Sequence, residues 1–379
     1  MGADFESRIG SWRCAGREGG HASRFGGIFA GHACSCGTLL PDRCGGGNYL
    51  AADVPVVFET RKEGNELIFT LAVVAVLIAF AFGVGGYTFF AACGRGKEID
   101  WLDETVVKKT DFAPYYANIQ HGHQWLKDHN AQEVYITNRD GLKLHAYWVP
   151  AKAPKGTVML VHGYHSCALM DFSIAFERYH QRGMNLLLPS HRAHGKSEGK
   201  YITFGVRECG DLLEWIEYHN HEFGMLPMMI SGMSMGAATV MYLAGEELPQ
   251  NVKSLNADCG FTSPKEIIAK VFQDAAHLPA WPILWATDLF ARFFAGFHLL
   301  EKVSTETLKR NTRPILFVHG LKDTFVPCEM TRCSFEASGG EKALLLVQNA
   351  THGTSFLHDK EHYLEEIERL LRHCLKEET

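Results

Sequence analysis

Charge of either sign is missing from residues 67–94, a run of 28 that begins at Leu67 and ends at Gly94. An excess of basic residues is missing from the whole chain. Lys plus Arg number 37 against 43 Asp plus Glu, a formal charge of −6. That balance excludes non-specific nucleic-acid binding, which needs a clustered basic face. Cysteine is too sparse for a disulfide-built scaffold, at 11 in 379 residues. There is no internal repeat and no GxGxxG fingerprint, so a dinucleotide-binding fold has no support. With 46% hydrophobic and 21% charged residues, the chain is also not wholly disordered.

The composition divides the chain. Residues 1–50 hold 12 of the 37 Gly, five Arg and no Lys, without a period of 2 or 3.6. Residues 1–66 read as a flexible, Gly-rich tail. No Met occurs between Met1 and Met159, and an upstream extension absent from the mature protein fits this composition as well as a native tail. Cys14, His21, His32, Cys34, Cys36 and Cys44 are metal-ligating types, but they lack the paired C-x2-C spacing of zinc sites, and no metal is expected there. Residues 67–94 are long enough to cross a bilayer as one tilted helix and are expected to be a retained transmembrane anchor, with residues 67–93 in contact with lipid. Basic residues are balanced on either side, with Arg61 and Lys62 before the span and Arg95, Lys97 and Lys108 after it, so orientation stays open.

From about Glu133 onward, apolar runs alternate with helical stretches. The runs are 133–138, 142–149, 157–162, 184–189, 227–232, 252–258, 314–320 and 343–348; an Asp140-Gly141 turn joins the first two as a hairpin. Buried runs separated by amphipathic helices, such as 207–221, predict a mostly parallel central sheet with helices on both faces.

Four signals carry chemistry. Gly232-Met233-Ser234-Met235-Gly236 follows a strand and precedes a helix, the setting of a G-x-S-x-G nucleophile elbow. His162-Gly163-Tyr164 closes the 157–162 strand, where the backbone N–H of Tyr164, beside that of Met235, can face an oxyanion; His162 itself reads as a packed turn residue. Asp323 and His352 each follow a later strand. The chain order Ser234, Asp323, His352 suits a triad in which neutral His352 takes the serine proton and Asp323 fixes its tautomer. Asp258 also closes a strand, but the G-x-x-D-x-x-V-P context favours Asp323. Such chemistry needs no metal and no organic cofactor.

On these residues the chain from about Ala113 to the C-terminus resembles the α/β-hydrolase superfamily. It is most similar to membrane-anchored bacterial serine hydrolases of the prolyl-oligopeptidase-like or serine aminopeptidase-like kind. The blocks DGLKLHAYWVP (140–150), HGYHS (162–166), HRAHGKSEGKYITFG (191–205), SGMSMGAATV (231–240), DCGFTSP (258–264) and GLKDTFVP (320–327) carry the likeness. One departure is Ser190, where an Asp usually stands two residues before Arg192. The resemblance implies an α/β-hydrolase fold over 95–379 with a small helical cap at about 261–311, preceded by one transmembrane helix. It implies serine hydrolase activity on a small-molecule acyl substrate and a single-pass protein of a bacterial cell membrane, with the catalytic region outside the cytoplasm. It does not choose among esters, thioesters and peptides. Only about 40 residues separate the anchor from the first strand, too few for a propeller domain, so a carboxylic ester hydrolase leads and a small-peptide hydrolase follows. A membrane-tethered binding module without catalysis is the alternative of another class. Within the cap, Trp285 and Phe293 lie on one helical face and are expected to line an acyl pocket.

Overall fold

The computed structural model describes residues 57–376, so Cys14, His21, His32, Cys34, Cys36 and Cys44, like most of the Gly-rich tail, lie outside the described residues. Eight strands form one sheet: β1 Gln132–Thr137, β2 Lys143–Val149, β3 Gly156–Val161, β4 Met184–Pro189, β5 Met228–Met233, β6 Val252–Asp258, β7 Ile315–Gly320 and β8 Lys342–Val347. Their order is β1-β2-β4-β3-β5-β6-β7-β8. The β1–β2 and β2–β4 pairs are antiparallel, and β4 through β8 run parallel. Each expected strand is present to within a residue or two, because a strand buried on both faces needs an unbroken apolar run. β3, β4, β5 and β7 are buried along their whole length.

Helices cover both faces. Val206–Phe223 and Met235–Leu243 pack on one side, where Trp215, Ile216 and Tyr242 are fully enclosed with Met159 and Ile230. Ala168–Gln181 and Lys360–Leu375 pack on the other, around Phe176, Leu160 and Leu371. The register brings the carboxyl ends of three parallel strands level, with Met233 opposite Asp258 and Asp258 opposite Val318. The loops that follow therefore open onto one edge of the sheet. After β4, the Arg192 guanidinium ties the β1–β2 turn to the helix Val206–Phe223, donating twice to buried Asp211, at 2.7 Å each, and once to Asp140 at 2.7 Å.

A helix at Val57–Cys93 precedes the sheet, and its stretch Asn65–Cys93 is 29 residues long with mean hydropathy 2.9, long and apolar enough to cross a membrane. The chain divides into compact units between Ala75 and Val76. The sequence placed the boundary at Gly94/Arg95, whereas residues 76–93 belong to the unit that holds the sheet. Phe89 and Cys93 are fully buried in its core. Burying a Phe contributes about 3 kcal/mol. Gly85 lies so close to the helix Trp281–Phe290 that a Cβ there would collide with Ala286, and one on Gly86 would meet the Phe290 ring at 2.9 Å. The cap region consists of Pro264–Ala276, Trp281–Phe290, a π-helical turn at Ala291–Ala295 and Ser304–Thr307.

Candidate active site

Ser234 stands between β5 and the helix Met235–Leu243, at φ 54° and ψ −114°. That conformation is strained for a residue with a Cβ, and its surroundings hold it in place. The Ser234 N–H donates to the Asp258 carbonyl at 2.8 Å. A Cβ on Gly232 would strike the Gly236 carbonyl, and one on Gly236 would strike the Val161 carbonyl. Only glycine fits at either position.

His352, in the loop after β8, places Nε2 2.9 Å from Ser234 Oγ and Nδ1 2.7 Å from Asp323 Oδ2. With Nδ1–H on the carboxylate, Nε2 is free to accept the serine proton; this tautomer is assigned from its partners. Phe325 packs edge-on against the imidazole at 5.0 Å between centroids. Asp323 is itself held: its Oδ1 accepts the N–H groups of Phe325 and Val326, each at 2.9 Å. Burial acts to raise the Asp323 pKa, but hydrogen bonds from His319 and His352, with their charge, outweigh it and hold the carboxyl well below its usual range.

Asp258 lies close by in another role. Its carbonyl fixes the elbow, and its carboxyl accepts a long hydrogen bond from Ser355 at 3.4 Å. Burial pushes that carboxyl up to about 6. His352 Nδ1–H donates to Asp323, not to Asp258.

The loop after β3 lies against the serine, since a Cβ on Gly163 would meet the Ser234 Cβ at 3.3 Å. Asp171, in the first turn of Ala168–Gln181, accepts the Gly163 N–H at 2.7 Å and the Ser166 hydroxyl at 2.6 Å. The bond from Gly163 fixes the plane of the His162–Gly163 peptide, one before the peptide that carries the Tyr164 N–H. Among the described residues no hydrogen bond is made by the N–H of Tyr164 or by that of Met235, the first residue of its helix. His162 is fully buried; its Nδ1–H donates to the Gly163 carbonyl at 2.8 Å and its Nε2 accepts the His191 N–H at 3.0 Å. Burial lowers His162 to about 3, so it is a neutral fastener of this loop.

Sequence reasoning missed Asp171 and His319. His319 is fully enclosed, with Nε2 2.9 Å from the Val326 carbonyl and 3.2 Å from Asp323 Oδ2, and Nδ1 2.7 Å from Thr331 Oγ1. The H-G-x-x-D spacing was the available signal for His319. For Asp171 there was none, because its partner is a backbone N–H. Cys259, Asp323 and His352 offer ligand atoms within 4.8 Å of one another. The Asp323–His352 hydrogen bond accounts for this proximity, and burial drives the Cys259 thiol well above its ordinary value.

Trp285 and Phe293 lie elsewhere. Trp285 packs edge-on against Phe82 at 5.3 Å and is 63% exposed, and Phe293 is 81% exposed. Neither lines the cavity beside Met233 and Gly353, whose apolar walls include Phe112, Tyr115, Ile119, Met170 and Phe356. The ring partner of Trp285, Phe82, comes from a helix some 200 residues earlier, and that of Phe293 is its neighbour Phe294.

The sheet order and the strained serine turn are those of the α/β-hydrolase fold. Comparison with known proteins agrees. The serine aminopeptidase family S33 matches residues 152–256. The uncharacterized protein YqkD of Bacillus subtilis is 26% identical over 270 residues, 70% of this chain and 88% of YqkD. A monoacylglycerol lipase of Mycolicibacterium smegmatis is 25% identical over 235 residues, 53% of this chain and 81% of the lipase. A Pyrococcus furiosus esterase structure shares the fold at TM-score 0.53 and 24% identity, covering 65% of this chain and 93% of the esterase. The class of activity these findings support is hydrolysis.

Proposed function

We propose that this protein is a membrane-anchored serine hydrolase that cleaves carboxylic ester or thioester bonds of small acyl substrates through an acyl-enzyme on Ser234. The observation that carries the reading is the chain of hydrogen bonds from Ser234 Oγ to His352 Nε2, at 2.9 Å, and from His352 Nδ1 to Asp323, at 2.7 Å. His352 takes the Ser234 proton as Oγ adds to the acyl carbonyl. The carbonyl oxygen gains negative charge between the N–H groups of Tyr164 and Met235. One such donor is worth about 10²–10³ in rate. His352 then returns the proton to the departing alcohol or thiol, and the acyl-enzyme remains. Water, deprotonated by the same imidazole, releases the acid and restores Ser234. Asp323 stays ionised throughout and stabilises the imidazolium.

The esterase fold neighbour and the lipase relative favour esters. A second reading, hydrolysis of small peptides, is favoured by the serine aminopeptidase match over 152–256. p-Nitrophenyl esters of graded chain length, assayed beside aminoacyl anilides, separate the two. Ester turnover at least tenfold faster supports the first reading, and the reverse order replaces it with the second. The stretch Asn65–Cys93 supports anchoring in a bilayer, and the yeast membrane protein YNL320W, 25% identical over 209 residues, agrees with it. Retention of the full chain on vesicles through a carbonate wash tests the anchor.

A further inference from the structure

Leucine and tryptophan seldom stand open to water in a row, yet Trp281, Trp285, Leu289 and Phe293 do so at four-residue spacing along Trp281–Phe290 and the turn that follows it. Trp281 is 77% exposed and Phe293 81%. No charged residue occurs in the ten positions 278–287. The charges that follow neutralise each other, since Arg292 Nε donates to Asp288 at 2.8 Å. Isolated exposed apolar residues need no explanation, but a contiguous apolar face does.

The opposite face of this helix is built onto residues 82–90 of the apolar helix. Ala286 is fully buried against Gly85, Thr287 Oγ1 donates to the Gly85 carbonyl at 3.2 Å, and Phe294 meets Phe90 at 5.3 Å; Trp285, at the border of the two faces, touches the Phe82 ring with its edge and stays 63% exposed. The two elements run in the same direction, because higher numbers on one meet higher numbers on the other. Small residues at such a contact let two helices approach closely in an apolar setting.

Length then sets the depth. The stretch Asn65–Cys93 has 29 residues, about 43 Å of helix, where a hydrocarbon core needs about 30 Å or 20 residues. Counting about 20 residues from Leu67 reaches Gly86, next to Gly85, where the Trp281–Phe290 helix makes its closest approach. The two tryptophans therefore stand at the level where a bilayer passes from acyl chain to headgroup, a position Trp favours.

We propose that the outer row of Trp281, Trp285, Leu289 and Phe293 is seated in the boundary of the same bilayer, as a second membrane contact beside the span. The proposal rests on the anchor reading above. It makes this cap segment a lipid-bound element rather than a wall of an acyl pocket, and it fixes the catalytic body against the membrane surface.

The test uses the full chain reconstituted in phosphatidylcholine vesicles, with and without lipids brominated on their acyl chains, which quench tryptophan on contact. The chain has seven Trp. Replacing the two that are exposed among the described residues, as Trp281→Phe with Trp285→Phe, keeps the face apolar. Bromolipid quenching is expected to fall by more than half in the double variant. Equal quenching in both proteins, while both survive the carbonate wash, overturns the proposal and leaves the anchor standing. Weak quenching of the wild-type chain together with concentration-dependent cross-linking through this face assigns it to a second copy of the chain instead. Loss of both proteins from the vesicles overturns the anchor and this inference together.

Discussion

The phenolic hydroxyl of Tyr164 donates to the backbone carbonyl of Ala92 at 2.8 Å, joining the loop beside Ser234 to the end of the apolar helix. The join is reinforced nearby. The Ile202 N–H donates to the Cys93 carbonyl at 2.6 Å, and Arg95 donates to the Ser197 carbonyl at 2.6 Å and to the Gly195 carbonyl. A sequence-only boundary would start the soluble catalytic region near Lys97. Such a truncation removes Phe89 and Cys93 from the core and frees Tyr164. It is expected to lower Tm by more than 10 °C or to prevent folding, measured by calorimetry against the full chain in detergent. In the full chain, Tyr164→Phe is expected to cost about 1 kcal/mol of stability and to lower kcat several-fold with KM little changed. A truncated protein as stable and active as the full chain would show the join to be incidental.

Asp323 and Asp258 are distinguishable by substitution. Asp323→Asn removes the charge that fixes the His352 tautomer and is expected to lower kcat by about 10⁴. Asp258→Asn removes a carboxyl that burial already raises to about 6, and its carbonyl still holds the elbow, so a loss of less than about tenfold is expected by comparison. Paired kcat measurements at pH 8 decide. A greater loss in Asp258→Asn would reverse the roles.

His319 is argued to position Asp323. His319→Phe leaves the Val326 carbonyl without its His319 donor and removes one of the two imidazoles that support Asp323 Oδ2. With less support for its charge, the Asp323 carboxyl rises toward its ordinary range. The acid limb of the kcat/KM profile is then expected to shift, while KM for the ester changes less than kcat. An unchanged profile with lowered Tm alone would make His319 purely structural.

Acid is expected to destabilise the protein below about pH 6.5. Burial lowers His162 and His191 to about 3, His145 to about 4 and His194 well below its ordinary value. Each binds a proton in the unfolded chain before it does so in the folded one, so the stability they contribute is present above about 6.5 and lost as pH falls toward 3. Asp171 and Asp258, raised to about 6, act in the opposite direction over the lower part of that range. The imidazoles outnumber these two carboxyls, and their shifts are larger. Urea unfolding at pH 7, 6 and 5 should show a falling midpoint, shallower in His191→Phe. A midpoint that rises on acidification would contradict the balance.

The strands and the elbow were legible because their chemistry is local: a buried parallel strand needs a continuous apolar run, and the serine turn needs glycine at 232 and 236. The fate of residues 76–93 was not. An all-apolar helix reads alike whether lipid or protein covers it, and only Gly85 and Gly86 hinted that another helix comes close. Trp285 and Phe293 show the same limit, since helical spacing reports that residues share a face but not what faces them. Asp171 was invisible because it recognises a backbone N–H, which any sequence supplies.

The most direct measurement is mass spectrometry of the full chain after reaction with a fluorophosphonate. One adduct is expected on the peptide containing Ser234, absent in Ser234→Ala and strongly slowed in His352→Ala, with ester turnover in Ser234→Ala lower by about 10⁴–10⁶. An adduct on another residue, or ester hydrolysis undiminished in Ser234→Ala, would contradict the account.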